Sequence, residues 1–106
     1  MVFQEGISSA SKYVVMYSKP NELIVSRFGL SVSKKVGKAV VRNRLKRLLR
    51  EAMKKGLEGL ALHYDFVIIA RRSSVDAGLD DFIRDIKRFL ARLLHEKDSD
   101  ITYKTL

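Results

Sequence analysis

Arg27-Phe-Gly-Leu-Ser-Val-Ser-Lys-Lys-Val-Gly-Lys-Ala-Val-Val-Arg-Asn-Arg-Leu-Lys-Arg-Leu-Leu-Arg-Glu-Ala-Met-Lys-Lys55 changes its hydrophobic period part-way along, and that change decides the fold. In its first third Phe28, Leu30 and Val32 recur at every second position, alternating with Arg27, Gly29, Ser31 and Ser33. Period two marks a strand with one buried face. Beyond Gly37 the spacing becomes helical. On a helix advancing about 100° per residue, Val41, Leu45, Leu48, Leu49 and Ala52 share one side, while Arg42, Asn43, Lys46, Arg47, Arg50 and Lys54 gather roughly opposite. The spacing predicts a helix over Lys38 to Lys55, with Gly56 as its stop.

Working outward, Lys12 to Ser18 is rich in β-branched and aromatic residues and reads as a strand, ended by turn chemistry at Lys19-Pro-Asn-Glu22. The extended region containing Arg27 opens at Leu23, with Ile24 and Ser26 in the same alternation. On the other side, a loop from Leu57 to Tyr64 leads to Asp65-Phe-Val-Ile-Ile-Ala70, a continuous apolar run expected to be a central strand covered on both faces. A turn at Arg71-Arg-Ser-Ser74 follows. Then Leu79, Phe82, Ile83, Ile86, Phe89, Leu90, Leu93 and Leu94 repeat at i, i+3, i+4, i+7, with Asp80 and Asp81 where a helix start favours negative charge. From Lys97 to Leu106 no amphipathic period remains, and fraying is expected there.

The chain has 106 residues and reads as a single domain over 1–106, with 21 Lys and Arg against 12 Asp and Glu, a net charge of +9. That excess is concentrated. Between Lys34 and Lys55 lie ten basic residues and one acid, Glu51, so the remaining 84 residues balance at eleven of each sign. An ordinary solvated face would intersperse acids at i,i+4 spacing to relieve the repulsion. A polyanionic partner is expected instead. Arg offers a planar fork for phosphate, Asn43 a hydrogen bond to a base edge or sugar, and Lys a point charge, which suits a structured nucleic acid. No Cys is present, which excludes disulfides and thiolate zinc sites. The longest apolar run, Phe66 to Ala70, is far too short to cross a membrane, and the N-terminus lacks the pattern of a signal peptide, so a soluble cytoplasmic protein without membrane partners is expected.

The run Arg27 to Ala52, with Arg42-Asn-Arg44 at its centre, closely resembles the signature of the bacterial ribonuclease P protein subunit. Val2-Phe3 with Gly6, Asp65 to Arg71 and the helix from Phe82 to Leu94 extend the resemblance over nearly all of residues 2 to 95. It implies an α+β two-layer sandwich, a four-stranded mixed sheet packed with helices, with a left-handed crossover through the basic helix where most parallel crossovers are right-handed. It implies two RNA partners: a catalytic RNA, and the precursor tRNA from which that RNA removes the 5′ leader. The magnesium cofactor is held mainly by the RNA. The RNA-binding residues it implies are Lys34, Lys35, Lys38, Arg42, Asn43, Arg44, Lys46, Arg47, Arg50 and Lys54. For a cleft that holds the unpaired leader it implies Phe3 and Tyr17, with Ser31 and Ser33 as further candidates; base stacking on an aromatic is worth roughly 1–3 kcal/mol. Family members begin earlier, with the first half of a helix that Val2 to Gly6 would complete. A sheet face left without that helix invites self-association, so a homodimer or segment-exchanged form is a further expectation.

No protein-borne catalytic or metal site is expected. His63 and His95 stand 32 positions apart in different elements, and Asp80, Asp81 and Asp85 read as helix-start and exposed-face charges rather than a two-metal site. Gly37-Lys38 lacks both the glycine spacing and the following Ser or Thr of a phosphate-binding loop. A general structured-RNA binder would need the basic face but not the rest of the pattern, and no helix-turn-helix or basic zipper supports DNA.

Overall fold

A computed structural model describes residues 7–23, 25–60 and 63–105, with side chains through residue 94. Four strands and two long helices follow one another: β1 (Ile7–Ala10), β2 (Val14–Pro20), β3 (Arg27–Ser31), α1 (Ala39–Leu57), β4 (Tyr64–Ala70), a 3-10 turn (Arg72–Asp76) and α2 (Leu79–Thr105). The sheet order is β1-β2-β4-β3. β1 and β4 each lie antiparallel to β2, and β3 runs parallel to β4, so α1 is the crossover between two adjacent parallel strands.

The alternation in β3 holds: Phe28 and Leu30 are half-buried, and Val32 just beyond is buried, while Arg27, Gly29 and Ser31 are exposed. Both helices cover the same face of the sheet. Val14 and Met16 of β2, Phe66 and Ile68 of β4, Leu45, Leu49 and Met53 of α1 and Phe82, Ile86 and Leu90 of α2 form one apolar cluster. Each such side chain removed from water contributes about 1.5–3 kcal/mol. Tyr13 closes the β1 end of the core with its ring edge-on to Phe82, centroids 6.4 Å apart.

Several sequence expectations are corrected. β4 is central, but it is not covered on both faces: Phe66, Ile68 and Ala70 point into the core, whereas Val67 on the other side is 44% exposed. β2 starts later than Lys12 and continues through Lys19 and Pro20, because at the strand end proline keeps an extended backbone and the turn begins only at Asn21. The extended region contracts to Arg27–Ser31. Gly56 is not the helix stop. It lies inside α1 at the crossing with α2, where a Cβ would come within 2.7 Å of the Ile86 Cγ2. The left-handed conformation that ends the helix belongs to Gly59, at φ +78°. β1 is an addition, since Ile-Ser-Ser-Ala carries too little apolar signal to be read as a strand. α2 runs to Thr105, through the segment in which the sequence shows no amphipathic period.

Candidate nucleic-acid interface

The connection from β3 to α1 turns tightly: the Val36 N–H donates to the Ser33 carbonyl at 3.1 Å, leaving Lys34 and Lys35 exposed at the bend. Lys38 is the N-cap of α1 and provides no side-chain cap, and no acid occupies the first turn. The positive end of the helix dipole therefore faces three lysines with nothing to neutralise it. Along the helix Asn43, Arg44, Arg47, Arg50 and Lys54 are exposed, and Lys46 is half-buried. Among the described residues the ion pairs are Arg27 with Asp65 and Arg84 with Asp81 and Asp85; none involves a cation of the Lys34–Lys55 stretch. Lys54, with Lys55, also complements the negative end of the α1 dipole.

Arg42 departs from the expected placement. Rather than standing opposite the apolar side, it lies on the flank, half-buried, with its Nε enclosed and without a hydrogen-bond partner. The hundred-degree step explains this, since Arg42 falls beside the buried Leu49 and Met53 rather than beside Arg47.

On the sheet face away from the helices, the register lines up Ser8, Tyr17, Val67 and Gly29 in one row across the four strands. The adjacent row is Ala10, Val15, Ile69 and Ser31. Tyr17 is 47% exposed, and among the described residues no atom stands within 4 Å of where a Cβ on Gly29 would be. Among the described residues the result is a shelf on which Tyr17 is the one aromatic ring. Ser31 shares this face with Tyr17. Ser33 does not, because β3 ends at Ser31 and Ser33 belongs to the turn. Phe3 lies outside the described residues. Val67 and Gly29 were missed as site residues: in a run as apolar as Phe66 to Ala70 nothing marks the solvent-facing positions.

A charged row bounds the shelf at one end. Arg27 grips Asp65 with Nε and Nη2, at 2.9 and 2.7 Å, and the Asn21 amide donates to the same carboxylate at 2.8 Å. These hydrogen bonds, Arg27 first, hold the Asp65 carboxyl down at about 2. His63 Nδ1 lies 2.6 Å from the Leu23 carbonyl, and the His95 side chain lies outside the described residues.

The model of the ribonuclease P family matches residues 1–94. The chain belongs to the ribonuclease P protein family. The ribonuclease P protein component of Clostridioides difficile (strain 630) is 47% identical over 92 residues, which span 86% of this chain and 81% of that relative. That of Caldanaerobacter subterraneus subsp. tengcongensis is 41% identical over 99 residues, 92% of this chain and 85% of the relative. Among solved structures, a mutant RNase P protein of Staphylococcus aureus superposes with a TM-score of 0.74 at 32% identity, covering 87% of this chain and 78% of that one. The Thermotoga maritima RNase P protein gives 0.68 at 29% identity, covering 82% and 86%. Membership makes the chain a protein component of bacterial ribonuclease P, an endoribonuclease of tRNA processing, and implies the RNase P RNA as its partner. No helix among the described residues is long and apolar enough to cross a membrane.

Proposed function

We propose that the chain docks on the catalytic RNA of ribonuclease P through the turn at Lys34–Lys35 and the outward face of α1, and receives the unpaired 5′ leader of precursor tRNA on the open sheet face around Tyr17. The observation that carries this reading is the α1 face itself, where exposed cations form no ion pair among the described residues, beside a helix start that lacks both a side-chain cap and an acid. Such a surface is self-repelling alone and relieved by phosphates, whose bound counterions are released on contact. Tyr17 adds sequence-tolerant stacking for an unpaired base.

The protein's part is to bind and to orient. Magnesium would supply the charge that stabilises the displaced oxygens of phosphodiester hydrolysis, and its ligands are assigned to the RNA. Among the described residues no three His, Asp or Glu side chains gather as a group that could hold a metal ion.

The test is cleavage of precursor tRNA by a bacterial ribonuclease P RNA at low magnesium, with the protein, without it, and with the protein alone. RNA-dependent stimulation is the expected result. Cleavage by the protein alone, or no stimulation by a protein that binds the RNA, overturns the reading. Arg44→Ala and Arg47→Ala should each lower the slope of log affinity against log salt by about 0.7–0.9, the loss of one phosphate contact, without altering the fold. Tyr17→Ala should weaken long-leader substrates more than short-leader ones.

A further inference from the structure

The balance of charge outside Lys34–Lys55 conceals a second basic surface. Between the β1–β2 turn and α2 lies a cleft of about 490 Å³ whose lining includes Lys12, Arg84, Arg88 and Arg92 against one carboxylate, Asp85. The three arginines come from consecutive turns of one helix face, spaced i, i+4 and i+8, and Lys12 from a segment more than seventy residues away in sequence. Like charges at i,i+4 destabilise a helix, so this row costs stability unless something negative lies along it. Arg84 reaches Asp81 at 3.2 Å and Asp85 at 3.9 Å. Arg88 is exposed and takes part in no hydrogen bond or ion pair among the described residues.

The cleft is built rather than incidental. Asp85 is buried, and the Ser11 hydroxyl donates to its Oδ2 at 2.8 Å while accepting the N–H groups of Tyr13 and Val14. Arg71 Nη1 donates to the Ser11 carbonyl at 2.8 Å, and the Ser73 hydroxyl donates to the Lys12 carbonyl. The turn that carries Lys12 is thus pinned to α2 and to the end of β4, which fixes the distance between Lys12 and the arginine row before any ligand arrives. Preorganisation of this kind lowers the ordering cost of binding.

We propose that this cleft is a second phosphate-binding surface, one that takes the sugar-phosphate backbone of RNA along the Arg84–Arg88–Arg92 row. Successive arginines stand about 6 Å apart along the helix, a stride that lets neighbouring phosphates of one strand each meet a guanidinium fork. An enclosed pocket would suit a small anion; an open cleft with a row of cations suits a polymer. The surface is separate from the α1 face. β1 and β3 are the opposite edges of the sheet, about 14 Å apart across three strand spacings, with the cleft beside β1 and the Lys34–Lys35 turn following β3. An RNA that touches both holds the protein by two flanks, which fixes its orientation as one basic face cannot.

The proposal rests on the RNA-partner reading above, and the test separates the two. Lys12→Gln with Arg88→Gln removes two cleft cations and leaves the Arg84 carboxylate pairs and the Ser11–Asp85 hydrogen bond in place. In a salt titration of full-length protein binding a bacterial ribonuclease P RNA, this double variant should lower the slope of log affinity against log salt by about 1.5, while its thermal unfolding midpoint stays that of the parent. An unchanged slope in the double variant, with a lowered slope in Arg47→Ala, overturns the cleft and keeps the α1 reading. Salt-independent binding by the parent protein overturns both. A poly-glutamate chain binding in a Lys12- and Arg88-dependent way while the RNA slope is unaffected overturns the RNA assignment in favour of an acidic polypeptide.

Discussion

α1 and α2 bury equivalent inner faces on the same side of the sheet, yet they begin in opposite ways. At the start of α2, Asp81 Oδ2 accepts the Gly78 N–H at 2.9 Å, and Asp80 adds a second negative charge to the first turn. Capping and charge both satisfy the helix end. α1 begins at Lys38 with neither, and with Lys34 and Lys35 next to it. The acids that α1 lacks are the acids that α2 has. A helix start left bare next to lysines is poor design for an isolated fold and good design for a surface completed by phosphate. The difference teaches that a helix end can be read as belonging to the fold or to the partner by asking who satisfies it.

The largest expected effect tests the side on which the helices are alike. Leu49→Ala in α1 should cost about 2–5 kcal/mol and Phe82→Ala in α2 about 3–5 kcal/mol, since both side chains are fully enclosed by the shared core. Thermal unfolding reads this directly, at roughly 4–8 °C per kcal/mol for a domain of this size. A near-parental midpoint in either variant would mean that the two inner faces are not equivalent.

What was legible followed from how many signals a position had to carry. The β3 alternation and the inner faces of both helices were readable because burial there is periodic and one-sided. β4 was misread because its outward Val67 and Ile69 are as apolar as its inward Phe66 and Ile68, so composition erased the period. Gly56 and Gly59 lie three residues apart, one needed for close approach to Ile86 and the other for its backbone conformation, and the letter is the same for both. The basic face of α1 was readable because its cations are contiguous in sequence. The α2 arginines were hidden by the acids Asp80, Asp81 and Asp85, which balance them in a linear count although Asp80 and Asp81 serve the helix start and Asp85 the Ser11 turn.

An intermediate effect comes from making α1 begin as α2 does. Lys38→Ser supplies an N-cap and removes a cation, and should stabilise the fold by up to about 1 kcal/mol while weakening RNA binding. The two readouts, unfolding midpoint and RNA affinity, must move in opposite directions. If both fall, Lys38 serves the fold, and the contrast between the helix starts disappears.

The smallest effect is with acid, and it separates the helix starts without touching the core. The Gly78 N–H, and after it Arg84, hold the Asp81 carboxyl below its ordinary value. A carboxyl depressed in the folded state contributes stability that is fully present above its unfolded value near 4 and is lost as pH falls through the folded value. Asp65, held at about 2 by Arg27 and Asn21, behaves the same way, its contribution persisting further into acid. Both carboxylates are about a third exposed, 36% for Asp65 and 33% for Asp81, so solvent screening keeps the effects modest. The first turn of α1 contains no titrating acid and should not respond at all. Amide hydrogen exchange followed from pH 5 downward, corrected for intrinsic rates, should therefore show protection lost at the first turn of α2 while the first turn of α1 is unchanged. Asp81→Asn should abolish the pH dependence at α2 and leave the acid response of the Arg27–Asp65 row intact. Equal loss at both helix starts would mean that acid acts on the fold as a whole, and that the start of α2 owes nothing particular to its carboxylate.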